Sequence, residues 1–150
     1  MTRQFSQNMM LLSLILLATM AHGATPGEFR VKEYRLAACP NSPNCVSTMA
    51  TEESQAIAPY RFQKPLYEAK ARLIKIFSAF PGAELVQEKE AFLHFEVRSF
   101  LFRFVDDVEF QFDEDTHTIH FRSASRSGHY DFGVNRKRME DLRGMLEGKL

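Results

Sequence analysis

In this chain of 150 residues, nineteen Lys and Arg balance nineteen Asp and Glu. That neutrality excludes an electrostatic case for nucleic acid or an anionic membrane surface as partner. The length fits one domain with a real core, and fourteen Phe with no Trp point to a Phe-filled interior.

The first segment reads as an address rather than as fold. Arg3 opens it, Met9 to Met20 is an almost unbroken apolar run, and Ala21-His22-Gly23 offers small residues before a cleavage. The run is about a dozen residues, short of the ~20 that span a bilayer. Residues 1–23 are therefore expected to be a removed signal peptide. Residues 24–150 form a single exported domain, periplasmic or secreted, with no stable membrane span after cleavage. The two cysteines, Cys39 and Cys45, then sit in an oxidising compartment and are expected to pair. Closing so short a loop contributes roughly 2 kcal/mol in the chain-entropy picture, less here because Pro40 and Pro43 already stiffen it. Metal binding by these cysteines with His117 and His120 is the rival, disfavoured because a strand points those two His to opposite faces. No metal or other cofactor is expected.

Residues 28–36 have a weak pattern of a short edge strand. Residues 37–64, rich in Pro and small polar residues, read as a long loop kept ordered by the cysteine pair and by Ile57, Tyr60 and Phe62. Pro65 is a good first helical residue. Leu66, Ala69, Leu73, Ile76, Phe77 and Phe80 follow at helical spacing, and Pro81-Gly82 ends the helix. A strand is expected over 83–88. Three more follow at 91–99, 102–112 and 116–125, each alternating apolar and polar residues. The second has Phe102, Phe104, Val108, Phe110 and Phe112 on its inner face. A final helix over 134–146 would turn Val134, Met139, Leu142, Met145 and Leu146 inward. The fold class is α+β: an antiparallel sheet of about four to five strands with two amphipathic helices packed on one face.

Two places break the pattern. Asp106 falls on the apolar face, where an unpaired carboxylate is costly. A turn over 113–116 would set Phe112 opposite His117, Phe110 opposite Ile119, Val108 opposite Phe121 and Asp106 opposite Ser123, with Phe95 on the other flank. Asp106, Ser123 and Ser125 would then form a polar island at one end of the core. A β-bulge turning Asp106 and Asp107 outward is the open alternative. The second break is on the last helix. Arg136, Lys137 and Arg138 precede Glu140 and Asp141, against the helix dipole. Carboxylates such as Asp131, Asp106, Asp107 or Glu109 would offset this, or an anionic ligand would. Arg126, Asn135 and Arg136 are expected to converge there.

The segments Cys39-Pro40-Asn41-Ser42-Pro43-Asn44-Cys45-Val46-Ser47, Phe104-Val105-Asp106-Asp107-Val108-Glu109-Phe110 and the run from Ser123 to Arg138 occur in one order. Together they resemble the bacterial and plastid family known as domain of unknown function 1499, over residues 36–146. The resemblance implies a small protein, often exported or membrane-associated, and supplies no catalytic assignment. His129 departs from the family pattern, so a histidine there is not essential to it.

No Gly-x-Ser-x-Gly elbow, His-Glu-x-x-His helix, calcium loop or phosphate-cradling loop is present. The leading expectation is a non-enzymatic binding or scaffold domain of unknown molecular function. Its partner would be a small anionic ligand or an envelope protein, bound by Asn44, Asp106, Ser123, Ser125, Arg126, Tyr130, Asp131, Asn135 and Arg136. The alternative is a hydrolase using Ser125, Asp106 and a His.

Overall fold

The computed structural model describes residues 35–99 and 103–150. The expected signal peptide and most of the expected strand over 28–36 lie outside these; Arg35 and Leu36 are not in a strand. In chain order the elements are β1 (Cys45–Ser47), β2 (Tyr60–Arg61), α1 (Leu66–Phe77), β3 (Ala83–Lys89), β4 (Phe92–Arg98), β5 (Val105–Asp113), β6 (Thr118–Ser125) and α2 (Val134–Leu146). They build an antiparallel sheet in the order β1-β6-β5-β4-β3, with β2 also on β6. The two short strands are the additions to the four expected ones, and both come from the long loop. They dock along the same edge of β6, β1 against residues 122–124 and β2 against residues 118–119.

The alternation of β5 reads directly as burial: Asp106, Val108, Phe110 and Phe112 are inward, and the residues between them half-buried. Both helices cover that inner face. From α1, Phe77 stands edge-on to Phe95 at 4.8 Å and Phe110 at 5.3 Å. Such pairs add about 0.5–1.5 kcal/mol each beyond their area burial. From α2, Met139, Leu142 and Leu146 complete the core. Tyr60 from β2 stacks on Phe121 at 4.5 Å, and its hydroxyl donates to the Met139 carbonyl at 2.7 Å.

Several expectations shift. Pro65 is the residue before the first turn of α1, not its first helical residue; its carbonyl accepts from the Glu68 and Ala69 amides. The helix stops at Phe77, and Phe80 still packs on the core from the turn that follows. Gly82 then has φ +76, and a Cβ there would lie 2.2 Å from the Arg98 carbonyl oxygen, so only glycine lets the chain pass β4 so closely. Phe104 is 54% exposed rather than inward, because β5 starts at Val105 after Arg103 turns through φ +53. Phe102 lies outside the described residues. Val134 and Met145 are exposed too; the inward stripe of α2 runs through Asn135, Arg138, Met139, Leu142 and Leu146.

The β5–β6 register differs from the expected one by two residues. Phe112 pairs with Ile119, Phe110 with Phe121, Val108 with Ser123 and Asp106 with Ser125. On the other flank Asp106 meets Val97, while Phe95 meets Val108. The cause is the turn. Asp113 stays in the strand, its Oδ1 accepts the Thr116 amide at 3.1 Å, and His117 closes the loop with φ +51. A shift of two preserves which face each side chain takes, so the core survives while the cross-strand partners change.

Candidate functional site

Asp106 points inward, which removes the bulge alternative. It is 8% exposed, and its Oδ2 accepts from Arg138 Nη2 at 2.6 Å. Arg138 is itself buried on the facing side of α2. Its Nη1 donates to Ser123 Oγ at 3.1 Å and to Asn135 Oδ1 at 2.9 Å. Ser123 in turn donates to Asn135 Oδ1 at 2.5 Å. The polar island is therefore real, but the guanidinium of Arg138 joins its members; Asp106 has no direct bond to Ser123 among the described residues.

Asn135 is the hub. It is fully buried. Its Nδ2 lies 2.9 Å from Asp131 Oδ2, 3.1 Å from Ser125 Oγ and 3.2 Å from the Asn44 carbonyl. Asp131 also accepts the Asn135 amide at 3.0 Å through Oδ2 and the Gly133 amide at 2.9 Å through Oδ1. It thus satisfies free amides at the start of α2 and places negative charge near that positive dipole end. Here, together with the Arg138–Asp106 pair, lies part of the compensation for the reversed charge order.

The Cys39–Cys45 disulfide forms, with its Cα atoms 5.7 Å apart. Its loop delivers Asn44 to the same cluster. Asn44 Oδ1 accepts from Ser42 Oγ at 2.6 Å, Nδ2 donates to the Gly128 carbonyl at 2.6 Å, and the Asn44 carbonyl receives the Ser125 amide at 3.0 Å. Gln55, unmarked in sequence, holds the other side of the loop by donating to the Pro40 and Ser42 carbonyls. The two most distinctive sequence segments are thus one hydrogen-bonded unit, closing the end of the core between β6 and α2.

Three expected members stand apart. Arg126 lies on the outer face of the sheet, where it bonds both oxygens of Asp107 at 2.7 and 2.8 Å and Glu96 at 2.5 Å. Arg136 reaches along the loop to the Ser54 and Ala56 carbonyls. Tyr130 is two-thirds exposed and packs edge-on against His129. The expected convergence of Arg126, Asn135 and Arg136 is therefore wrong. Ser125 ends β6 and sends its side chain inward, and the next residue points outward, so consecutive positions serve opposite faces. Arg138 was the residue missed. Its signal was available: 135, 138, 139 and 142 fall on one helical stripe, and that stripe carries a cation facing the stranded Asp106.

Asp107 sits in the outer cluster, where His94 Nε2 also contacts Oδ1 at 2.6 Å. Burial pushes its carboxyl up, but the hydrogen bonds from Arg126 and His94 outweigh this and hold it below the usual carboxylate range. A depressed carboxyl stabilises the fold above its unfolded value, near 3.9, and that contribution is lost as pH falls through the folded value. Unfolding midpoints measured from pH 6 down toward ~2 should show a decline in the wild type that is shallower in Asp107→Asn. Parallel curves would mean that the cluster adds nothing.

For the hydrolase alternative, among the described residues no hydrogen bond joins a histidine to Ser125 or Asp106, and His129 packs edge-on against Tyr130. Ser125 and Asp106 face inward, while His94 is with Asp107 and His120 is with Thr48 Oγ1 at 3.2 Å. Among the described residues no three His, Cys, Asp or Glu gather to hold a metal, and both cysteines are committed to the disulfide. No described helix is long and apolar enough to cross a membrane.

Beside the polar cluster opens a cleft of about 520 Å³. Phe80, Pro81, Val97 and Val134 form apolar walls, Asp106 and Arg138 contribute its polar part, and Lys137 and Asp141 also line it.

No curated protein and no solved structure matches the chain. The family described as "Protein of unknown function (DUF1499)" matches residues 35–146, a span that holds β1 through α2 and every member of the polar cluster, and the chain belongs to that family.

Proposed function

We propose that the protein is an exported, non-enzymatic binding domain that recognises another protein through the segment over 126–134. One observation carries the reading. The Asn135-centred network turns its polar groups on one another, yet the segment it anchors presents Tyr130 at 67% and Phe132 at 96% exposure. A buried polar network favours a single well-defined arrangement when every member is satisfied, and exposed aromatics on a rigid support are the residues that anchor protein interfaces.

A small anion is less well supported. Arg126 and Arg138 already bond to carboxylates, and Arg136 to carbonyls. Sulfate or phosphate is expected to raise the melting temperature no further than a chloride control of equal ionic strength. An increment abolished by Arg126→Ala or Arg136→Ala would restore the anion reading through binding linkage.

The exported location follows from the leader pattern, and the intact mass of protein from the extracytoplasmic fraction tests it: residues 1–23 should be absent. The binding role is tested in cells by a photo-reactive residue placed at 132 and, as control, at exposed Tyr67 on α1. A protein adduct specific to 132 supports the reading. Its absence, or equal labelling at both positions, removes it.

A further inference from the structure

The cleft of about 520 Å³ beside the polar cluster has the size of a small-molecule site, for which roughly 300–1,000 Å³ is usual. Its polar end is the Asp106–Arg138 pair, 8% and 9% exposed, and the rest of its wall is mostly apolar. Neither Tyr130 nor Phe132 lines it, so it is a different surface from the one those aromatics present.

The ion pair leaves two valences open. Asp106 receives Arg138 through Oδ2 and Nη2, while Nη1 is taken by Ser123 and Asn135. Among the described residues Asp106 Oδ1 accepts no hydrogen bond, and Arg138 Nε donates none. Neither atom is sealed in the interior, because the one fully buried side-chain nitrogen or oxygen without a partner among these residues is Arg122 Nε. Both side chains line the cleft, so the pair offers it one acceptor and one donor, close together.

Each charge that lines the cleft is already answered. Arg138 pairs with Asp106, Lys137 with Asp141 and Arg98 with Glu96. An ion entering would shed water without meeting an uncompensated opposite charge, which is costly. A neutral molecule avoids that cost. We propose that the cleft is a binding site for a small neutral amide with an apolar body. The amide N–H donates to Asp106 Oδ1, the amide carbonyl accepts from Arg138 Nε, and the body packs among Phe80, Pro81, Val97 and Val134. An amide carries a donor and an acceptor on neighbouring atoms, and hydrogen bonds to ionised partners are the stronger kind. The site goes beyond the protein-recognition reading and does not depend on it.

Titration of nitrogen-15-labelled protein, expressed from the full reading frame, tests this at neutral pH with three probes of equal chain length: hexanamide, hexanoate and hexylammonium. Hexanamide should shift the backbone amides of Gly82, Ser99, Lys137 and Arg138 saturably, and bind about tenfold more tightly than either ion, which must be desolvated to enter. N-acetyl-leucinamide, titrated alongside, separates two sources of the same chemistry: tighter binding than hexanamide assigns the amide of a peptide, weaker binding a free alkyl amide, and either supports the site. Val134→Trp, at a position 50% exposed and therefore tolerant of substitution, should fill the recess and abolish the shifts at an unchanged melting temperature. Asp106→Asn, compared at a temperature where its spectrum shows it folded, leaves Arg138 without its counter-charge and should turn the preference from hexanamide to hexanoate. A merely structural pair would produce no such reversal. The inference is overturned if neither amide gives saturable shifts at the cleft, if all three hexyl probes bind equally, or if Val134→Trp leaves binding unchanged.

Discussion

Arg138→Met is expected to lower stability by about 3–5 kcal/mol, the usual loss when one member of a buried ion pair is removed and the other charge is left without a partner. Asp106→Ala should cost a similar amount, since it strands the guanidinium among Ser123 and Asn135. Asp107→Ala should cost much less, because its partners His94 and Arg126 remain within reach of water on the outer face. The double variant Arg138→Met with Asp106→Leu should recover most of the loss, because apolar replacement of a buried pair is often neutral. Urea midpoints at unchanged slope decide the matter. Equal, small losses for Asp106→Ala and Asp107→Ala would mean that the inward pair contributes little.

Asn135→Ala is the second large effect, roughly 2–4 kcal/mol. The deletion takes an acceptor from Ser123 and Arg138 and a donor from Ser125, the Asn44 carbonyl and Asp131. A buried group left unsatisfied costs about 1–3 kcal/mol, and several are affected here, though neighbours sharing one network do not add simply. Asn135→Asp should not rescue it. That change keeps Oδ1 but turns a second carboxylate oxygen toward Asp131 Oδ2 and the Asn44 carbonyl, exchanging attraction for repulsion. Amide exchange gives an independent reading: Gly133 and Asn135, whose N–H groups bond to Asp131, should lose protection before the central strands do. A variant with wild-type midpoint and wild-type exchange would show that the hub is dispensable.

These two expectations mark the border between local and non-local information. Period-two alternation in β4, β5 and β6 and the helical spacing in α1 and α2 were legible because side-chain direction follows backbone geometry within a few residues. For the same reason Asp106 was identified as the odd residue on an apolar face, and the Cys39–Cys45 pair was expected from a count of two cysteines behind a leader-like segment. The short strands β1 and β2 carry no such signal. Residues 45–47 and 60–61 are too brief for any period to register, and they become strands only because the edge of β6 offers unpaired backbone groups.

By itself, then, the sequence determined the α+β class, the approximate positions of the main strands, the span of the last helix, the disulfide pairing and the singling out of an unusual acid, whose inward placement it left open. Tertiary structure alone decided who answers that acid. The turn at Asp113 moved the β5–β6 register by two and took Ser123 from opposite Asp106 to opposite Val108. Docking of α2 brought Arg138 to Asp106 instead. Arg126, one residue beyond inward Ser125, went to the far face, where Asp107 and Glu96 hold it. The face a side chain takes is set by its own backbone; its partner is set by how two distant elements pack, and no short window of sequence contains that distance.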